Sequence, residues 1–159
     1  MGNDKEQTLD AHCVWKRLWV GSQPPFDRDL PKFQMLALCA AELQPPQVAF
    51  RGAILRCRLR DDVPTEYEIR CALLASQRVA SHLASGKSVL VTCQAGLNRS
   101  ALVAGLAMGL VSRMTAAEVM ARIRGARDPN CLFNTSFQQV LHKYIGAGRR
   151  RPQSSGVDT

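Results

Sequence analysis

The chain has 159 residues, 46% of them hydrophobic and 6% aromatic, and a formal net charge of +8 at pH 7; this fits one ordinary domain whose core is mostly Leu, Val, Ile and Ala. No apolar run nears the ~20 residues that cross a bilayer, and residues 1–6 lack the apolar region of a secretory leader and match a myristoylation signal poorly, so a cytoplasmic protein without stable membrane insertion is expected. The basic surface suits anionic partners, although part of the excess lies in Arg149-Arg150-Arg151, which opens a Pro/Ser/Gly-containing tail of disordered, solvated type.

Residues 1–12 read as a flexible N-terminus and 147–159 as a disordered basic tail around a folded unit at 13–146. Residues 15–20 form a strand or hairpin ended by Gly21-Ser22 and the turn residues Gln23-Pro24-Pro25. Met35-Leu36-Ala37-Leu38-Cys39 is an apolar run of buried-strand type, and residues 53–59 follow as another. After Asp61-Asp62 and Val63-Pro64, the capping box Thr65-x-x-Glu68 opens a helix that Gly86 ends, with Ile69, Ala72, Leu73, Val79, Ala80 and Leu83 on its core face. Residues 88–92 are a central buried strand, followed by a helix over 99–112 with Leu102, Val103, Leu106 and Leu110 on one side. Thr115-x-x-Glu118 opens a third helix, Asp128-Pro129 marks a turn, and Asn134 caps a fourth helix that buries Phe137, Val140, Leu141, Tyr144 and Ile145. Strands alternating with helices, then helices alone, predict an α/β fold with a central, mostly parallel sheet of about 4–5 strands flanked by helices.

The six cysteines contain no C-x-x-C pair and the three histidines are dispersed, so neither a zinc site nor a disulfide framework is indicated. Cys39, Cys57 and Cys71 lie in apolar segments and read as small buried residues. Cys93 differs, because it ends the central strand at the rim where α/β sheets bind ligands. The amides of Gln94, Ala95, Gly96, Leu97, Asn98 and Arg99 can form a nest for a tetrahedral anion at a helix N-terminus, and Gly96 permits the curvature. The same environment favours a thiolate at Cys93. Arg99 offers a planar fork for phosphoryl oxygens, and Ser100 can donate a hydrogen bond to the sulfur. Asp61 and Asp62, one helix and one strand upstream, end a strand on the same rim and can supply an acid.

The segment Val91-Thr92-Cys93-Gln94-Ala95-Gly96-Leu97-Asn98-Arg99-Ser100 resembles the signature loop of the cysteine-dependent protein phosphatases, in particular the compact dual-specificity type. Leu18-Trp19-Val20-Gly21-Ser22, Leu59-x-Asp61-Asp62 and Asn134-x-x-Phe137-Gln138 extend the likeness over roughly residues 14–145. The resemblance implies a dual-specificity-phosphatase-like fold and hydrolysis of phosphotyrosine, with phosphoserine and phosphothreonine, through a phosphocysteine intermediate. It implies Cys93 as nucleophile, Arg99 and the loop amides as phosphate ligands and Ser100 as aid to thiolate departure. An aspartate at 61 or 62, with Asp61 favoured, would protonate the leaving group. No metal or other cofactor is called for, and the expected partner is a phosphorylated protein or another phosphomonoester. Most members carry histidine before the cysteine; here it is Thr92, whose hydroxyl is expected to replace part of that hydrogen bonding.

Alternatives come from the same loop. Gly96-Leu97-Asn98-Arg99 also resembles the RNA 5′-triphosphatase branch, and the basic charge suits RNA or phosphoinositides, but Ala95 adds no charge where lipid phosphatases often place lysines, and nucleic acid is not the favoured partner. A phosphate-binding pseudophosphatase is opposed by the intact Cys93, Arg99 and aspartates. A persulfide-forming sulfurtransferase would need no upstream acid.

Overall fold

The structure, a computed structural model, describes residues 9–146. Both expected loose termini therefore lie largely outside the described residues. The elements run in the order β1 (Ala11–Trp15), β2 (Leu18–Gly21), β3 (Met35–Ala40), β4 (Ala53–Leu59), α1 (Glu66–Ala84), β5 (Val89–Thr92), α2 (Arg99–Val111), α3 (Ala116–Ala126) and α4 (Thr135–Tyr144). The expected opening segment is a hairpin, and its first strand starts at Ala11, two residues before the expected boundary of the folded unit.

The five strands lie in the order β1-β2-β5-β3-β4; β1 pairs antiparallel with β2, and the other neighbours are parallel. β5 is thus the central strand, and all four of its residues are buried, as the continuous apolar run of a doubly covered parallel strand requires. The segment after β5 emerges in the middle of the sheet's carboxyl edge, with the ends of β2 and β3 on either side.

The sheet faces are covered differently. One carries the main core, where Val89, Val91, Ala37 and Met35 meet residues of all four helices. The opposite face packs Leu36, Leu38 and Leu90 against Phe33 and Phe50, with Trp19, Phe26 and Leu30 alongside, and that cluster contains no helix residue. The reason is topological. The parallel crossovers β2→β3 and β3→β4 are made by the irregular segments 22–34 and 41–52 rather than by helices, and these segments cover the second face.

Each helix start is built as its residues dictate. Thr65 forms the full capping box with Glu68 on α1, Thr115 accepts from Glu118 N on α3, and the Asn134 side chain accepts from the Ser136 and Phe137 amides on α4. Two expected core residues are exposed, Leu110 at 52% and Tyr144 at 41%, and Ile69, Cys71 and Leu73, also expected to be buried, are only half-buried because they lie at the edge of the face that α1 turns to the core. Leu110 and Tyr144 flank a shallow groove between α1, α2 and the end of α4. Ile145 takes the inner place there, lying against Gly109, where an added Cβ would come within 2.7 Å of its Cγ1. The Asp128-Pro129 segment is a turn, and the Asp128 carboxylate accepts from Asn130 N at 2.7 Å.

Candidate active site

The loop between β5 and α2 is shaped from outside. Four consecutive carbonyls are each held by a donor beyond it: Gln94 O by Gln23 N (3.1 Å) and Leu97 O by Leu132 N (2.9 Å), with Ala95 O and Gly96 O both held by the Arg127 guanidinium (3.2 Å each). A trans peptide points its N–H opposite to its C=O, so the amides of Ala95, Gly96, Leu97 and Asn98 turn the other way, toward the loop's interior. Gly96 N accordingly donates to Cys93 Sγ at 3.2 Å. Gly96 has φ +70°, and a Cβ there would meet Gly21 C at 2.5 Å, so neither the backbone conformation nor the space admits another residue.

Cys93 is 4% exposed, and its sulfur shares a 3.2 Å hydrogen bond with Ser100 Oγ. α2 starts directly behind it. Asn98, at the N-cap position, makes no side-chain capping bond and the first turn holds no acidic residue, so the positive end of this helix remains available to an anion.

Arg99 is 6% exposed and turned into the site. Its Nη2 donates to Glu42 Oε1 at 2.7 Å, while Nη1 donates to Glu42 Oε2 and to Leu59 O. Among the described residues, its Nε is the buried side-chain polar atom without a partner. Burial works against the guanidinium charge, but the Glu42 hydrogen bonds and the proximity of Cys93, Glu42 and Asp61 outweigh it and raise the pKa above the ordinary value. The Arg99 hydrogen bonds hold the Glu42 carboxyl below its usual range in turn.

The two aspartates part company. Asp61 Oδ2 accepts from Asn98 Nδ2 and Oδ1 from Asn134 Nδ2, both at 3.0 Å, so the carboxylate is tied to the anion loop and to the start of α4. Asp62 instead folds its carboxylate onto the next amide, Val63 N, at 2.7 Å, and only its backbone carbonyl joins the network, by accepting from Asn134 Nδ2. Asn98 Oδ1 closes the set by accepting from Asn134 N at 3.1 Å.

The structure thus gathers Cys93, Arg99, Ser100, the loop 94–98 and Asp61 in one place, with the Asp62 side chain facing elsewhere. Thr92 differs from the expectation: its hydroxyl donates to Ala37 O at 2.9 Å. It ties the end of β5 to β3 and does not take a histidine's place toward the sulfur. Sequence reasoning missed Glu42, Arg127, Gln23 and Leu132. The last two act through backbone amides, which no residue type announces. Glu42 and Arg127 sit in irregular segments, and Arg127 is anchored through an ion pair to Asp10 (2.7 Å), a residue assigned to the loose N-terminus.

No protein-family profile and no curated protein matches this sequence. Solved structures do match the fold. A mouse putative dual-specificity phosphatase complexed with zinc tungstate is similar at TM-score 0.75 with 19% identity, covering 92% of this chain and 93% of that one. Human DUSP28 is similar at TM-score 0.71 with 20% identity, covering 87% and 94%. PTPMT1 in complex with PI(5)P is similar at TM-score 0.68 with 16% identity, covering 87% and 96%. The chain has the fold of these dual-specificity-phosphatase structures.

Proposed function

We propose that this chain is a cysteine-dependent phosphatase that hydrolyses phosphomonoesters, phosphotyrosine foremost and phosphoserine and phosphothreonine with it, through a phosphocysteine intermediate. The observation that carries this reading is the conjunction at one point of a nucleophile-type sulfur, four inward amides and the unpartnered, buried Nε of Arg99. A buried unpaired N–H is costly, and a phosphoryl oxygen is an acceptor that would satisfy it. The tungstate-bound neighbour adds support, since tungstate is a tetrahedral oxyanion.

In the first step Cys93 Sγ attacks phosphorus in line with the ester oxygen, while the loop amides and Arg99 hold the equatorial oxygens and the charge that spreads over them. Asp61 gives its proton to the leaving oxygen, the choice supported by its attachment to Asn98 of the loop. In the second step Asp61 takes a proton from water as the water attacks the phosphocysteine, and the Ser100 hydroxyl donates to the departing sulfur. Val63 and Phe133, 68% and 61% exposed, are the chain neighbours of Asp62 and Asn134, which the Asn134–Asp62 bond joins, and would offer an aryl ester an apolar rim. That rim and the absence of lysine from loop positions 94–98 support an aryl phosphate over the phosphoinositide named with one structural neighbour.

The test is hydrolysis of an aryl phosphate by the wild type, Cys93→Ser, Asp61→Asn and Asp62→Asn. Cys93→Ser should abolish turnover, and Asp61→Asn should lower kcat by about 100-fold, more for an alkyl than for a nitrophenyl leaving group. Asp62→Asn should stay within about threefold of wild type. An inactive wild type overturns the enzyme reading, and equal losses in the two aspartate variants overturn the choice of Asp61.

A further inference from the structure

The stretch from Arg51 to Arg60 holds four arginines, and no acidic residue occurs from 43 to 60. Along β4, Arg56 and Arg58 alternate with Cys57 and Leu59. Those two belong to the core under the helices, while Ile54 belongs to the cluster on the opposite face. Side chains alternate between faces along a strand, so Arg56 and Arg58 point to the face without helices, and both are exposed. β4 ends the sheet, with no strand beyond it among the described residues.

The charge of these two arginines is not cancelled locally. Arg56 donates to Gln44 Oε1 at 3.2 Å and to Pro45 O at 2.7 Å, and both acceptors are neutral, so the guanidinium is held in place with its charge intact. The carboxylates around this end of the sheet are engaged elsewhere: Glu42 by Arg99, Asp61 by Asn98 and Asn134, Asp62 by the Val63 amide, and Glu68 by Arg60. The two arginines also lead to the loop at Cys93. Leu59 O, next after Arg58, accepts from Arg99 Nη1 at 3.1 Å, and Arg56 lies roughly 10 Å back along the strand at about 3.3 Å per residue. From Arg56 to Leu59 β4 advances three residues where β3, from Leu38 to Ala40, advances two. This is a bulge at Cys57-Arg58, a device that re-aims side chains beside active sites.

We propose that Arg56 and Arg58 form a docking strip for an acidic, extended segment of a phosphorylated protein, whose phosphorylated residue enters the loop at Cys93. This names the substrate class of the site described above and rests on its reading as a phosphatase site. An extended segment repeats every two residues, as β4 does, so acidic residues at alternate positions meet both arginines. The free edge of β4 offers backbone groups that an extended peptide can pair. Residues 51–60 include no aromatic side chain on which a base could stack, which favours a peptide over single-stranded RNA.

The experiment measures kcat/KM of the full chain on phosphotyrosine peptides that carry four glutamates, four glutamines or four lysines at alternate positions on one side of the phosphotyrosine. Each peptide is made in both chain directions, and each value is divided by kcat/KM for an aryl phosphate. In at least one direction the wild type should favour the glutamate over the glutamine peptide by about tenfold, with the lysine peptide last, and the preference should shrink as salt rises. Arg58→Ala should cut it about threefold, Arg58→Lys should keep most of it, and Arg58→Glu should place the lysine peptide first. Because the readout is a ratio, a general loss of activity or of folded protein does not move it. Equal ratios for the three wild-type peptides, or a preference that survives Arg58→Glu, overturn the strip and leave the phosphatase reading standing. A larger loss in Arg58→Glu on vesicles of phosphatidylcholine and phosphatidylinositol 5-phosphate, or on a 5′-phosphorylated oligouridylate, than on the glutamate peptide overturns the peptide as occupant. A wild-type chain that hydrolyses neither peptides nor aryl phosphate overturns the phosphatase reading and the strip with it.

Discussion

Glu42 decides how Arg99 meets a ligand. Its carboxylate takes both terminal nitrogens of the guanidinium and leaves Nε as the donor without a partner, so the arginine is held with its inner edge toward the loop. Replacing the carboxylate with an amide weakens the pair and lets the side chain turn. Glu42→Gln should lower kcat/KM about 10-fold, near 1.4 kcal/mol, and weaken inhibition by inorganic phosphate by a similar factor; steady-state kinetics with phosphate as competitor checks both. At this scale the sequence was legible where a residue acts through its own chemistry: Cys93, Arg99 and Ser100 could be named from type and spacing. It was silent on Glu42, one carboxylate among the 13 acidic residues, whose partner is 57 positions away. It misled at Thr92, where residue type says what a hydroxyl can donate but not to which carbonyl.

The start of α4 does two jobs with one side chain. Asn134 Oδ1 accepts from the Ser136 and Phe137 amides as an N-cap, while Nδ2 donates to Asp61 and to the Asp62 carbonyl. The jobs separate by substitution. Asn134→Ser keeps a capping oxygen and should melt near the wild-type temperature, yet lower kcat/KM about 10-fold, because Asp61 loses one of its two tethers. Asn134→Ala should also lose about 1 kcal/mol of stability. Thermal melts and hydrolysis rates on the two variants check the split. Element positions were legible because apolar periodicity and capping residues are local signals: α1, β5 and α4 begin and end within a residue or two of expectation. The segments covering the second sheet face were not. Phe26, Phe33 and Phe50 follow no period, and prolines at 24, 25, 45 and 46 mark loops without saying what those loops cover.

Across the whole molecule, acid should act first on the segment between β4 and α1. Glu68 is 6% exposed; despite the cost of burial, hydrogen bonds from the Arg60 side chain and amide and from Thr65 bring its pKa down to about 2. A carboxyl that titrates lower in the folded than in the unfolded chain stabilises the fold fully above about pH 5, and that contribution, about 2–3 kcal/mol, fades as pH falls toward 2. Denaturant unfolding followed from pH 7 to pH 3 should show this decline, and Glu68→Gln should be less stable at neutral pH with a flatter acid limb. Asp10, also lowered to about 2 by its hydrogen bond with Arg127, adds to the slope, but it is largely exposed and contributes less.

The outward carbonyls of the anion loop have a temporal meaning as well. Their donors come from residue 23, residue 127 and residue 132, and Arg127 is itself braced by residue 10. A ribosome that has delivered Cys93 and Arg99 has delivered the reactive pair but not the clasp that curls the backbone around an anion. That clasp closes only after some thirty further residues emerge, so the sulfur reaches its working surroundings well after its own residue has been made.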